Sequence, residues 1–229
     1  MHRHISENDM SELRVLFEDE YLISVIKPYG VLSQGNENTK SIVDDISSYL
    51  TEKGERGEIF VIHRLDKTTG GVMVFAKTKE ATAKMSAIVQ NGEFHKVYNA
   101  VVCGEIEEKS GKLWDLLYHD KGRNKTYVVK RERKGVKKAG LSYNVLSVKD
   151  FSGAKVSKVE VQLHTGRTHQ IRVQFAFRKH PLVGDKKYGC TVVDKNIALW
   201  SKEISFIHPM KNELLTVSAE PESEIFDIF

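Results

Sequence analysis

The sequence predicts an α+β fold with a mixed, largely antiparallel central sheet flanked by helices and loops. Two observations carry this. From Lys96 onward, short runs rich in Val, Tyr and Leu alternate with turn residues, the pattern of successive strands. Helical periodicity is confined to a few irregularly placed segments, so the regular βαβ alternation of a parallel sheet is missing. Of the 229 residues, 40% are hydrophobic and 29% charged. That is enough apolar material for a sizeable core, which excludes wholesale disorder.

In chain order, RVLFEDEYLISVIK (14–27) reads as two short strands joined at the acidic turn Glu18-Asp19-Glu20, and Pro28-Tyr29-Gly30 ends the second. Ile42, Val43, Ile46, Tyr49 and Leu50 fall at helical spacing, predicting a helix over Ser41–Lys53 with Ser41 or Thr39 as its cap. Glu58–Leu65 and Gly71–Lys77 read as strands around the polar turn Asp66–Gly70. A helix is expected over Thr78–Asn91, stopped at Asn91-Gly92. Strands are expected at Val97–Val102, Thr126–Arg131, Ser142–Val148 and Val156–Leu163, then a short helix over His169–Arg178 capped by Thr168. Ala198–Phe206 and Leu214–Ala219 read as the last strands. No linker or repeat interrupts this, so a single domain over 1–229 is the simplest organisation.

No run approaches the ~18 apolar residues of a membrane span. The N-terminus MHRHISENDM lacks a signal-peptide core, so a cytoplasmic protein is expected. Cys103 and Cys190 form no close pair in sequence and read as two core thiols, neither a disulfide scaffold nor a zinc site. His63, His164 and His169 lack the spacing of a helical zinc motif, and no metal is expected. P-loop, dinucleotide and nucleophile-elbow motifs are also absent. Charge is unevenly spread. Residues 121–138 carry nine basic side chains and one acidic, and residues 161–190 carry six and one. Two basic segments suit a face that meets a polyanion.

Two segments concentrate chemistry. In HRLDKTTGG (63–71), an aspartate leaves a hydrophobic strand beside an arginine, where a carboxylate can be aimed into a cleft. In LHTGRTHQIRV (163–173), a glycine turn feeds a helix whose start is rich in donors, an arrangement suited to anionic groups. With KVYNA (96–100) and HPLVGDKKYG (180–189), these closely resemble the four ordered motifs of the RluA-type pseudouridine synthases. The resemblance runs from about residue 16 to 222, with Gly70 where that family usually has serine.

The resemblance implies a pseudouridine synthase fold without an extra N-terminal RNA-binding domain. It implies isomerisation of uridine in structured RNA, a ribosomal or transfer RNA stem-loop, with no cofactor. Separately, the lack of any coiled-coil or apolar edge pattern leads to the expectation of a monomer. Asp66 would be the essential carboxylate, attacking the nucleoside or abstracting a ribose proton. Arg172 would pair with Asp66 and favour its charged form, and Tyr98 would lie against the uracil with its hydroxyl near carbon 5. Arg64 would fill the space left by the flipped base or engage its displaced pairing partner. Lys67 and Arg167 would meet phosphates, and His63 and His169 would belong to the same RNA-binding set. Two rival classes are a non-catalytic RNA-binding protein and a metal-dependent nuclease. The basic segment 121–138 is expected to form a loop or hairpin that closes on RNA.

Overall fold

The computed structural model describes residues 13–35 and 38–229. Its strands are β1 (Val15–Glu18), β2 (Leu22–Lys27), β3 (Phe60–Val61), β4 (Gly70–Ala76), β5 (His95–Cys103), β6 (Ser110–Asp120), β7 (Lys125–Val129), β8 (Val136–Phe151), β9 (Ala154–Leu163), β10 (Leu199–Ile207) and β11 (Leu214–Ser218). The helices are α1 (Ile42–Glu52), α2 (Lys79–Asn91), α3 (Gln170–Phe177) and α4 (Glu224–Asp227). All strands join one sheet in the order β1-β2-β4-β10-β5-β9-β8-β6-β7, with β11 on β10 and β3 on β4. The β4–β10 pair is parallel and the other pairs are antiparallel, so the sheet is mixed and largely antiparallel as the sequence predicts.

Local signals explain most boundaries. Ser41 starts α1, and the Asp44 carboxylate accepts from its backbone N–H at 2.7 Å. Thr78 caps α2 by accepting from the Ala81 N–H at 3.1 Å, and Gly92 ends that helix in the left-handed region. Three expectations need correction. Only Phe60–Val61 of the expected strand 58–65 pairs, because Ser33 ties down the backbone of Leu65 instead. The strand β6, whose polar residues mask its alternation, was not expected and forms a hairpin with β7. Thr168 does not cap α3; the cap position is His169, at φ 55°.

The main core lies on the sheet face that carries α1 and α3. Ile23, Met73, Tyr98, Ala100, Leu141 and Val161 from the sheet meet Ile46, Ile171 and Phe175 from the helices. α3 is buried nearly all round, from Gln170 to Phe175, so its polar side chains must find partners inside the protein. Cys103 and Cys190, 87 residues apart in the chain, meet with sulfurs 2.7 Å apart and both are free thiols, as the sequence reading of two unbridged thiols expects. Among the described residues, no helix is long and apolar enough to cross a membrane, and no group of three or more His, Cys, Asp or Glu could hold a metal.

Candidate active site

An open cleft of about 1190 Å³ lies where the loop entering β4 meets β5, the end of β9 and the start of α3. Its lining includes every site residue the sequence singles out: His63, Arg64, Asp66, Lys67, Tyr98, Arg167, His169 and Arg172.

Asp66 is held by its backbone. Ser33 Oγ donates to the Leu65 carbonyl at 2.7 Å and accepts from the Leu65 N–H at 2.9 Å. On the other side, the Gly30 N–H donates to the Lys67 carbonyl at 2.8 Å, and the Thr69 N–H donates to the Asp66 carbonyl at 3.0 Å. The carboxylate itself is 31% exposed, with His169 Nε2 at 3.8 Å and Arg172 Nη1 at 3.9 Å. Among the described residues, no side chain donates a hydrogen bond to it. Gly70 follows at the head of β4, where a Cβ would lie 2.6 Å from the Trp200 ring. The indole occupies the room a serine would need.

Arg172 forms an ion pair with Asp66 at 3.9 Å, as expected, but its hydrogen bonds go to a different acid. Its Nε and Nη2 donate to the two oxygens of Asp185 at 2.6 and 2.9 Å, a bidentate pair with both partners buried. Only the third nitrogen faces Asp66. The guanidinium also lies 5.1 Å over the Tyr188 ring. Tyr188 Oη accepts from the Thr126 N–H at 2.8 Å and lies 3.0 Å from His169 Nδ1, so the β6–β7 hairpin is tied to the α3 entrance. Burial, opposed by the Asp66 charge, pulls His169 down to about 4, which makes it a neutral ring at pH 7.

Tyr98 is buried on β5, and burial followed by the Asp66 charge raises its phenol well above the ordinary value. It is therefore a proton-bearing hydroxyl at the cleft wall. His63 is turned inward: its ring packs 5.2 Å from Phe94 and its Nε2 accepts from the Val74 N–H at 3.1 Å. Burial drives it down to about 3, so it is a neutral ring whose Nε2 is already engaged by the backbone. Arg64, Lys67 and Arg167 are exposed along the cleft, with Arg167 Nε donating to the Lys138 carbonyl at 3.2 Å.

Three supporting residues escape a reading of the sequence. Gln170 organises the turn before α3: its Oε1 accepts from Thr165 Oγ1 and the Arg167 N–H, and its Nε2 donates to the Gly140 carbonyl. Asp185 follows the HPLVG run without any signal of its partner. Lys27 is fully buried, donating to the carbonyls of Pro28 and Val31 at 2.8 Å each. Burial lowers it to about 7, with the Asp66 charge opposing that shift.

A family model described as RNA pseudouridylate synthase matches residues 21–177. A dual-specificity RNA pseudouridine synthase RluA of Vibrio vulnificus is 34% identical over 87% of this chain and 80% of its own length. The corresponding protein of Vibrio parahaemolyticus is 32% identical over 94% and 88%. A tRNA pseudouridine synthase C of Vibrio cholerae is 29% identical over 90% of each chain. The solved structure of human RNA pseudouridylate synthase domain containing 1 superposes with a TM-score of 0.76, covering 91% of this chain and 83% of that one at 22% identity. That likeness establishes the fold.

Proposed function

We propose that this chain, which belongs to the RNA pseudouridylate synthase family and is therefore an isomerase acting on RNA, uses Asp66 as its essential carboxylate on a uridine flipped into the cleft. The observation that carries this reading is the state of Asp66. It is fixed by hydrogen bonds to its neighbouring backbone, yet its own oxygens accept none from the described side chains. Such a group is placed and still available to react.

The reaction breaks the bond between ribose and ring nitrogen 1, turns the uracil and joins carbon 5 to the same ribose carbon. The hydrogen on carbon 5 leaves as a proton and nitrogen 1 gains one, so atoms and electrons balance within the nucleotide. Asp66 attacks the nucleoside or takes a ribose proton; both routes need the same carboxylate. Tyr98, a neutral phenol against the cleft wall, supports the base by contact and lies ready to exchange a proton at carbon 5. A flipped base costs a few kcal/mol to unstack, least in loops, which favours a stem-loop in ribosomal or transfer RNA. Arg64 fills the vacated stack. Lys67, Arg167 and the exposed cations of 121–138 meet phosphates, which positions RNA without reading its sequence. One continuous sheet through all described strands supports a single catalytic domain.

The test is tritium release from RNA labelled at uracil carbon 5. Release should persist with chelator and disappear in Asp66→Asn, while RNA affinity stays within a few-fold. Near-normal release by Asp66→Asn would remove Asp66 from the chemistry. RNA cleavage that chelator abolishes would favour a metal-dependent nuclease.

A further inference from the structure

Trp114 has no place in the site described above, and its setting is unusual for a tryptophan. It lies on β6 with 60% of its surface exposed, on the sheet face opposite the buried Leu113 and Leu117. Gly140 stands directly across from it on β8. A Cβ at Gly140 would come within 2.4 Å of the indole, so the ring lies flat over bare backbone with its outer face open. Beside it the His164 ring is parallel to within 9°, centroids 5.9 Å apart, and is fixed by a 2.7 Å hydrogen bond with Ser142 Oγ. His164 is exposed and lines the cleft that holds Asp66. The two rings form a stepped aromatic surface that begins at the cleft and continues onto the open sheet.

The charges around this surface share one sign. Lys112 lies two residues from Trp114 on the same strand face, and Lys138 pairs with Leu116 one step further along that face; both are exposed. Arg167 reaches the Lys138 carbonyl from the cleft side. Among the described residues, the one acidic side chain paired with these three is Glu132, 3.5 Å from Lys138 and itself largely exposed. An open aromatic face flanked by cations is the arrangement that binds single-stranded nucleic acid: bases stack on the ring and phosphates meet the charges.

We propose that Trp114 and His164 form a stacking platform for an unpaired RNA base next to the nucleotide held in the cleft, with Lys112, Lys138 and Arg167 along its phosphates. The inference rests on the reading that the cleft binds RNA, and it adds a second base site outside the pocket. The platform has no hydrogen-bonding edge matched to one base, so it selects for an unpaired nucleotide over a paired one and for purine over pyrimidine by stacking area.

The chain has two tryptophans, and Trp200 is buried, so Trp114 reports on this surface directly. Saturating the protein with a single-stranded adenosine decamer should lower the acrylamide quenching of Trp114 at least threefold, whereas an RNA duplex should not. Trp114→Ala should weaken decamer binding about tenfold, the size of one stacked base. Trp114→Phe should recover most of that loss. The salt dependence of binding should be the same in Trp114→Ala as in the parent, because no phosphate contact is removed. Binding by Trp114→Ala within twofold of the parent, or unchanged quenching in the complex, would overturn the platform. Tritium release by the parent protein is scored separately. Release with an unprotected Trp114 leaves the isomerase reading standing and the platform refuted; protection without release does the reverse.

Discussion

Asp185→Asn separates what Arg172 does for folding from what it does for chemistry. The Arg172 and Asp185 side chains are buried and joined by two short hydrogen bonds. Removing one partner of such a pair leaves a desolvated charge and costs roughly 3–5 kcal/mol. The Asn variant retains one oxygen acceptor, and Arg172 keeps the Tyr188 ring at 5.1 Å and the Asp66 carboxylate at 3.9 Å as compensation. The lower end, about 3 kcal/mol, is therefore expected. For a domain of this size that corresponds to a fall of roughly 6–12 °C in Tm, measured by circular dichroism.

A second effect follows from the geometry. Released from Asp185, the guanidinium can swing the short distance to Asp66 and hydrogen-bond it, so tritium release should fall even well below the unfolding temperature. Asp66→Asn is the control. Its carboxylate is partly exposed and accepts no side-chain hydrogen bond from the described residues, so its Tm should stay within about 2 °C of the parent. An Asp185→Asn protein with unchanged Tm and full activity would refute the role given to this pair.

Three further outcomes are expected. Tyr98→Phe should bind RNA within twofold of the parent while its single-turnover rate falls sharply; equal rates would leave Tyr98 as a surface for the base and nothing more. Lys27 holds its proton less tightly folded (about 7) than unfolded, so the unfolded chain binds more protons between pH 7 and 10.5, and the Lys27 contribution to stability rises with pH across that window. The stability difference between parent and Lys27→Met, from urea unfolding, should shift toward the parent by up to about 1.4 kcal/mol per pH unit from 7 to 9, and a flat difference would contradict the burial of the charged form. Burial and the neighbouring Cys190 raise the Cys103 thiol to about 12, so iodoacetamide at pH 8 should label native protein far more slowly than unfolded protein, as read by mass spectrometry.

The fold was legible where hydrophobic pattern and capping chemistry agree. Ser41, Thr78 and Gly92 mark their helix ends as their side chains and conformations require. Legibility failed where a backbone group is satisfied from far along the chain. The run 58–65 looks like a strand, but Ser33 takes both backbone groups of Leu65, so the chain leaves the ladder and becomes the loop that carries Asp66. His169 was equally opaque as a cap: its left-handed backbone goes with a hydrogen bond and a ring contact to Tyr188, which no local sequence signal announces. The meeting of Cys103 with Cys190 belongs to the same class, since strand β5 and the Gly189 turn come together only in the folded sheet.

The candidate site shows the same limit in a form that bears on its chemistry. Motif order places Asp66, Tyr98 and Arg172 around one cleft, but nothing in one dimension says which of two carboxylates receives the arginine's fork. The distinction matters because each charge-assisted hydrogen bond a carboxylate accepts stabilises its charged form and lowers its reactivity. Asp185 takes that fork, and its own burial makes it a permanent partner. Arg172 is thereby locked in orientation and presents a single nitrogen 3.9 Å from Asp66, near enough to attract and too far to occupy the oxygens. The positive charge behind Asp66 and the freedom of its carboxylate coexist here because a second acid, thirteen residues beyond the arginine, takes the arginine's hydrogen bonds.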